Sequence, residues 1–133
     1  MNDITNDKIN MIKFLSLPRI MDLIFMEKKY KYIFMLVPNQ FSYQKGIESY
    51  IFQWKDIKTR QLIGGFDLIK INSCCINYQN DKNVLIETFD GVYHRQYELI
   101  TISNDIASNY VKSINYLSRL EKCKIYNKKY LCN

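Results

Sequence analysis

The sequence predicts a mainly β domain of the α+β class, with about seven antiparallel strands followed by one long helix. Three observations point there. Runs rich in β-branched and aromatic residues recur along the chain, separated by short polar turns. The last two runs are joined by a turn dipeptide, as in a hairpin. Beyond Ile102 the apolar spacing then switches from two residues to between three and four, the mark of a helix.

The stretch from Val84 to Leu120 carries most of this. Val84, Ile86 and Thr88 alternate with Leu85, Glu87 and Phe89, which suits a strand. Asp90-Gly91 supplies a turn whose glycine tolerates positive φ. Tyr93 to Ile102 is the returning strand. Ser103-Asn104-Asp105 offers N-cap oxygens. From there Ile106, Ala107, Tyr110, Val111, Ile114, Leu117 and Leu120 share a helical face, which predicts a helix from about Asp105 to Lys122.

Upstream, residues 1–17 read as a polar cap and a short amphipathic helix whose Ile9, Ile12 and Leu15 share a face, ended by Pro18. That helix either packs on the side of the domain or touches a membrane or partner. Arg19 to Glu27 and Tyr32 to Val37 are strands joined by the basic Lys28-Lys29-Tyr30-Lys31, and Pro38-Asn39 is a turn. Phe41, Tyr43 and Lys45 alternate and are expected to begin a third strand. Residues 46–61 fit either a strand pair or an inserted short helix, and Trp54 there is expected in the core. Gly64-Gly65 lets the chain bend or bulge. Phe66 to Ile71 and Cys74 to Tyr78 are two more strands, parted by a kink at Asn72-Ser73. The basic tail, Glu121 to Asn133, extends or follows the helix and is expected to be loosely ordered.

The order of these elements resembles the pleckstrin homology (PH) domain family. QYELITISNDIASNYVKSI is similar to the family's passage from last strand to C-terminal helix, with Tyr97 and Leu99 on the strand and Tyr110 and Ile114 in the helix. KYKYIFMLVPNQFSY is similar to its opening, a basic and aromatic entry, an apolar run, a turn and a tyrosine. One departure stands out, because the family's most constant residue is a tryptophan and Tyr110 occupies its place. The resemblance covers about Arg19 to Leu120. It implies a bent seven-stranded antiparallel β-barrel or sandwich, capped by the C-terminal α-helix. The boundaries that follow are an N-terminal extension over 1–18, the PH-like domain over 19–122 and a basic tail over 123–133.

Composition sets the remaining limits. At 133 residues one domain with its own core is expected. The net charge of +6 favours anionic partners. No run of apolar sequence is long enough to span a bilayer, and the acidic, interrupted start makes a poor signal peptide. Asn2 excludes N-myristoylation of the sequence as it stands, and Cys132 lies too near the end for a prenylation box. Cys74, Cys75, Cys123 and Cys132 lack metal-ligand spacing and read as reduced thiols, with palmitoylation left open. No metal or other cofactor is expected. His94 is the only histidine and reads as a surface strand residue. Asp67 and Asp90 have no obvious carboxylate partner, and no nucleotide, zinc or nucleophile motif is present. Catalysis is not expected. Nucleic acid is not an expected partner either, since neither an aromatic ribonucleoprotein motif nor an arginine-rich groove is evident.

The chemistry that remains is anion recognition. Lys28, Lys29 and Lys31 crowd one strand connection, and alternate strand residues share a face. Several ammonium groups on a rigid scaffold bind phosphate by charge and hydrogen bonds. In the PH family such a basic-x-basic pair enters the second strand, and the resemblance assigns Lys29-x-Lys31 to it. Arg19 would join upstream, and Lys45 and Lys70 would make secondary contacts. Register decides the face. If Leu36 closes the buried run, Tyr30 and Tyr32 take the inward positions, and if Met35 does, the lysines take them. The expected function is that of a monomeric, non-catalytic module at the cytosolic face of a membrane, binding phosphoinositide or phosphatidic acid headgroups. The alternative is a PH-fold scaffold for protein contacts.

Overall fold

Each strand run buries one face and leaves the other wet, so the strands close over a shared core. The computed structural model describes residues 2–131, with side chains over residues 6–124. Helix α1 spans Asn2–Ser16, and Pro18 bars its continuation. Strands β1 (Arg19–Phe25) and β2 (Lys28–Pro38) follow, then the five-residue helix α2 (Gln40–Gln44). Next come β3 (Tyr50–Lys55), β4 (Leu62–Asp67), a single 3₁₀ turn (Leu68–Lys70) and β5 (Ile71–Ile76). The chain ends with β6 (Asn83–Phe89), β7 (His94–Ile100) and α3 (Asn104–Leu131).

The seven strands form one antiparallel sheet in the order β4-β3-β2-β1-β7-β6-β5. It folds over on itself, so Phe34, Phe52 and Phe66 from one half meet Ile71, Val84, Ile86, Tyr97 and Leu99 from the other in a single core cluster. The edge strands β4 and β5 do not pair with each other. Helix α3 packs instead on β5 and the 3₁₀ turn, which covers one edge that would otherwise recruit other strands. Its Ala107, Tyr110, Ile114, Leu117 and Glu121 are buried at helical spacing. Polar residues of α3 satisfy backbone carbonyls beneath it: Asn115 Nδ2 donates to Cys74 O at 2.9 Å, Ser118 Oγ to Leu68 O at 2.7 Å, and Lys122 Nζ to Ile71 O. The N-cap reading holds, with Ser103 Oγ accepting from Ile106 N at 3.2 Å.

Several sequence expectations need correction. Phe41, Tyr43 and Lys45 do not begin a strand. Asn39 Oδ1 accepts from Ser42 N and starts α2, which buries none of its residues, so the alternation there had no core to answer to. Within 46–61 there is one strand, β3, whose Trp54 is buried as expected. The break expected at Asn72-Ser73 is only an irregularity in the β5–β6 register. The chain turns earlier, at Leu68–Lys70, where Leu68 plunges into the core. Helix α3 runs on through residues read as a loose tail and buries Glu121. In α1, Leu15 is fully buried and Ile12 packs against the core, while Ile9 is largely exposed. Cys132 lies outside the described residues.

Candidate functional site

Because the strands are antiparallel, the β1–β2, β3–β4 and β6–β7 turns lie at one end, opposite α2 and the 3₁₀ turn. Between them the barrel is open. Leu23 and Phe25 of β1, Tyr30 and Tyr32 of β2, Trp54 of β3, Ile63, Gly64 and Gly65 of β4, and Arg95 and Tyr97 of β7 line a mouth of about 380 Å³. Its rim carries apolar side chains that a water-facing turn has no structural need for. Met26 is 78% exposed, Val92 72% and Tyr93 62%. Leu62 and Ile63 are exposed at the start of β4, beside the β3–β4 turn.

The β1–β2 turn is the tightest of the three. Phe25 pairs with Lys28, so Met26 and Glu27 alone make the reversal, with φ of 52° and 66°. Two residues in the left-handed region match the twist of a hairpin, but glycine or asparagine ordinarily occupies them. Register puts Leu36, Phe34, Tyr32, Tyr30 and Lys28 on the inner face and Lys29 and Lys31 on the outer one. Lys29 and Lys31 flank Asp22 there, at 3.7 and 3.6 Å. One carboxylate shared between two ammonium groups leaves a positive excess, and Lys28 stands free of it at the rim. Lys58 and Arg60 add cations on the β3–β4 turn, where Asp56 is occupied by backbone N–H groups of Lys58 and Thr59. Those bonds, with the one from the Thr59 hydroxyl, hold the Asp56 carboxyl below its ordinary pKa. On the β6–β7 turn Asp90 accepts from the Tyr93 and Val92 amides and from Arg95, which brings its pKa down to about 2.

No protein-family model matches the sequence, and no curated protein is similar to it. Solved structures are another matter. The PH domain from TgAPH superposes with a TM-score of 0.62 at 16% identity, covering 86% of this chain and 90% of that one. The PH domain from PfAPH gives 0.60 at 15%, over 85% and 90%. The chain has the PH fold. The three-turn mouth is thus the open end of a PH barrel, and α3 is the helix that caps the other.

Placed on the PH fold, the six residues singled out in the sequence divide into two groups. Lys28, Lys29 and Lys31 sit together on the β1–β2 hairpin at the open end. The other three do not join them. Arg19 starts β1 at the capped end, and its guanidinium lies over the Phe14 ring and donates to Phe14 O at 2.9 Å. Lys45 follows α2 and stacks on Phe41. Lys70 ends the 3₁₀ turn, and Asn39 donates to Asp67 to tie α2 to that same end. Ten residues of β2 separate Lys28 from Pro38, on the order of 30 Å along the strand. Sequence spacing was blind to which end of the barrel each cation reaches. The exposed tips Met26, Val92 and Tyr93 were also missed. The signal available was apolar residues in turns, where polar ones serve better.

A cleft of about 650 Å³ runs along β1 and β7 and includes His94, Glu27 and Glu98. His94 pairs with Glu87 at 3.3 Å, and no serine, threonine, cysteine or lysine lines the cleft. Among the described residues no cluster of metal-ligating side chains forms. Cys74 is buried, and its thiol is pushed up to about 12, chiefly by that burial.

Proposed function

We propose that this domain is a non-catalytic membrane-targeting module that rests its open end against an acidic phospholipid surface, with phosphoinositides or phosphatidic acid supplying the charge. One observation carries the reading: the exposed apolar crest Met26 stands directly ahead of Lys28, Lys29 and Lys31 on one hairpin. An apolar tip backed by cations suits a surface that is apolar inside and anionic at its boundary. Val92, Tyr93, Leu62 and Ile63 extend the apolar rim, and Lys58 and Arg60 extend the charge. The outward aim of Lys29 and Lys31 favours attraction to a charged surface over enclosure of one headgroup. Each lysine near such a surface contributes about 1 kcal/mol, so association is transient and weakens with salt.

The test is co-sedimentation with vesicles of phosphatidylcholine alone and with added phosphatidic acid or phosphoinositide, at low and near-physiological salt. An excess of binding to the acidic vesicles over phosphatidylcholine alone, falling with salt, supports the reading, and the absence of any such excess removes it. A second reading, a scaffold for protein contacts, draws on Phe41 and Tyr43, both exposed on α2 at the opposite end. A partner held there would be indifferent to charge on the β1–β2 hairpin.

A further inference from the structure

The inside of the mouth has a different chemistry from its rim. Five aromatic rings from four strands line it. Tyr30 and Tyr32 stack at 5.7 Å, Phe25 and Tyr97 at 4.9 Å, and Trp54 meets Tyr97 edge-on at 5.4 Å. Arg95 is the one charged residue in the lining among the described residues. Its guanidinium donates to Asp90 at 3.1 Å, which leaves other N–H groups for a ligand. Asp56 opens the β3–β4 turn and Asp90 the β6–β7 turn, so two carboxylates stand on the turns at this same end. Lys28 shares the inner face at the rim. Charges of both signs thus ring an aromatic pocket, and an anionic ligand entering it would meet Asp56 and Asp90 beside Arg95 and Lys28.

We propose that the mouth binds a phosphocholine group, its quaternary ammonium against Tyr30, Tyr32 and Trp54 and its phosphate on Arg95. Aromatic faces attract a cation that cannot hydrogen-bond and is weakly hydrated. A planar guanidinium grips the phosphate at the other end. Asp56, two residues beyond Trp54 at the same end, favours the ammonium there. The site is distinct from the outward lysines, so its failure would leave the charge-based reading standing.

The sequence has one tryptophan, Trp54, so intrinsic fluorescence reports on this pocket. Titration with phosphocholine is expected to give a saturable change, with phosphoethanolamine weaker by about tenfold or more because its ammonium stays hydrated. Choline alone is expected to bind more weakly than phosphocholine. Arg95→Gln should erase that difference, and Tyr30→Leu with Tyr32→Leu should remove phosphocholine binding while circular dichroism is unchanged. Dihexanoylphosphatidylcholine below its micelle threshold distinguishes the sources. Tighter binding than free phosphocholine assigns the lipid headgroup, and equal binding assigns the soluble group. Absence of a saturable response to phosphocholine up to about 100 mM, or equal affinity for phosphoethanolamine, overturns the proposal whatever the variants do.

Discussion

Arg19 donates from its guanidinium to the hydroxyl of Tyr110 at 3.3 Å, joining the first residue of β1 to the second turn of α3. Tyr110 is fully buried and takes the place where the PH resemblance puts tryptophan. A phenol hydroxyl accepts a hydrogen bond, whereas an indole N–H only donates. The cation and the tyrosine therefore belong together. Arg19 also lies over the rings of Phe14 and Tyr110, which meet edge-on at 5.0 Å, so the same pair pins α1 to α3. Burial raises the Tyr110 pKa, and Arg19 opposes the rise.

Replacing Tyr110 by tryptophan is expected to destabilise this chain, although the resemblance puts tryptophan there. The indole would face Arg19 without an acceptor and overfill a closed site, at about 2 kcal/mol. Tyr110→Phe should cost about 1 kcal/mol. In a double-mutant cycle, Arg19→Met should make the Tyr110→Trp penalty smaller, and strict additivity of the two changes in urea unfolding would show them to be independent.

Gly64 admits no side chain. A Cβ there would lie 2.8 Å from Cζ2 of Trp54, whose ring crosses the glycine where the β3–β4 register slips. Gly64→Ala is expected to lower stability by about 1–3 kcal/mol and to shift Trp54 fluorescence. Unchanged emission and melting would mean that the indole moves aside freely.

Stability should fall as pH rises from about 5 to 8. Glu121 is buried on α3, with one oxygen accepting from Tyr50 N at 2.7 Å and the other without a partner among the described residues. Burial lifts its pKa to about 7, with the Tyr50 amide opposing and Asp67 adding to the rise. The folded state thus holds a proton that the unfolded chain releases near the ordinary value of 4.5. That contribution is complete below about 4.5 and is lost as pH climbs through about 7. Melting temperature should drop by roughly 5 °C across the window, and Glu121→Gln should flatten the profile. A wild-type profile that is flat from pH 5 to 8 would place the charged carboxylate in the folded state throughout.

The β1–β2 turn should show stability and binding pulling apart. Met26→Asn with Glu27→Gly supplies the residues that a turn with positive φ at both positions prefers. The variant is expected to gain about 1 kcal/mol of stability and to bind acidic vesicles less well, because the apolar crest is gone. Because Glu27→Gly also removes a negative charge, the comparison is with Glu27→Gly alone, and equal vesicle binding by the two would show that Met26 makes no membrane contact.

What was legible in the sequence follows from what the core dictates. Val84 to Leu117 could be read because alternate strand residues and every third or fourth helical residue are buried there, and Asp90-Gly91 and Ser103 perform the local roles their chemistry suggests. Residues 40–45 misled because α2 buries nothing, so Phe41 and Tyr43 alternate without meaning. The candidate site was half legible. Lys28, Lys29 and Lys31 cluster because they are adjacent, but their face turned on a one-residue register that only Leu36 in the core decides. Arg19 looked like a free cation, and its partners Phe14 and Tyr110 come from two helices that strand spacing does not reveal.

The most direct measurement compares vesicle binding by wild type, by Lys28→Glu/Lys29→Glu/Lys31→Glu, and by Lys45→Glu/Lys70→Glu at the opposite end, on phosphatidic-acid vesicles at matched salt. Both variants change the net charge, by six and by four units respectively, so bulk attraction alone would weaken both roughly in proportion. Loss of binding confined to the hairpin variant, with melting temperatures preserved, is the expected result. Proportional loss in both, or binding that survives hairpin reversal, would contradict membrane attachment through the open end.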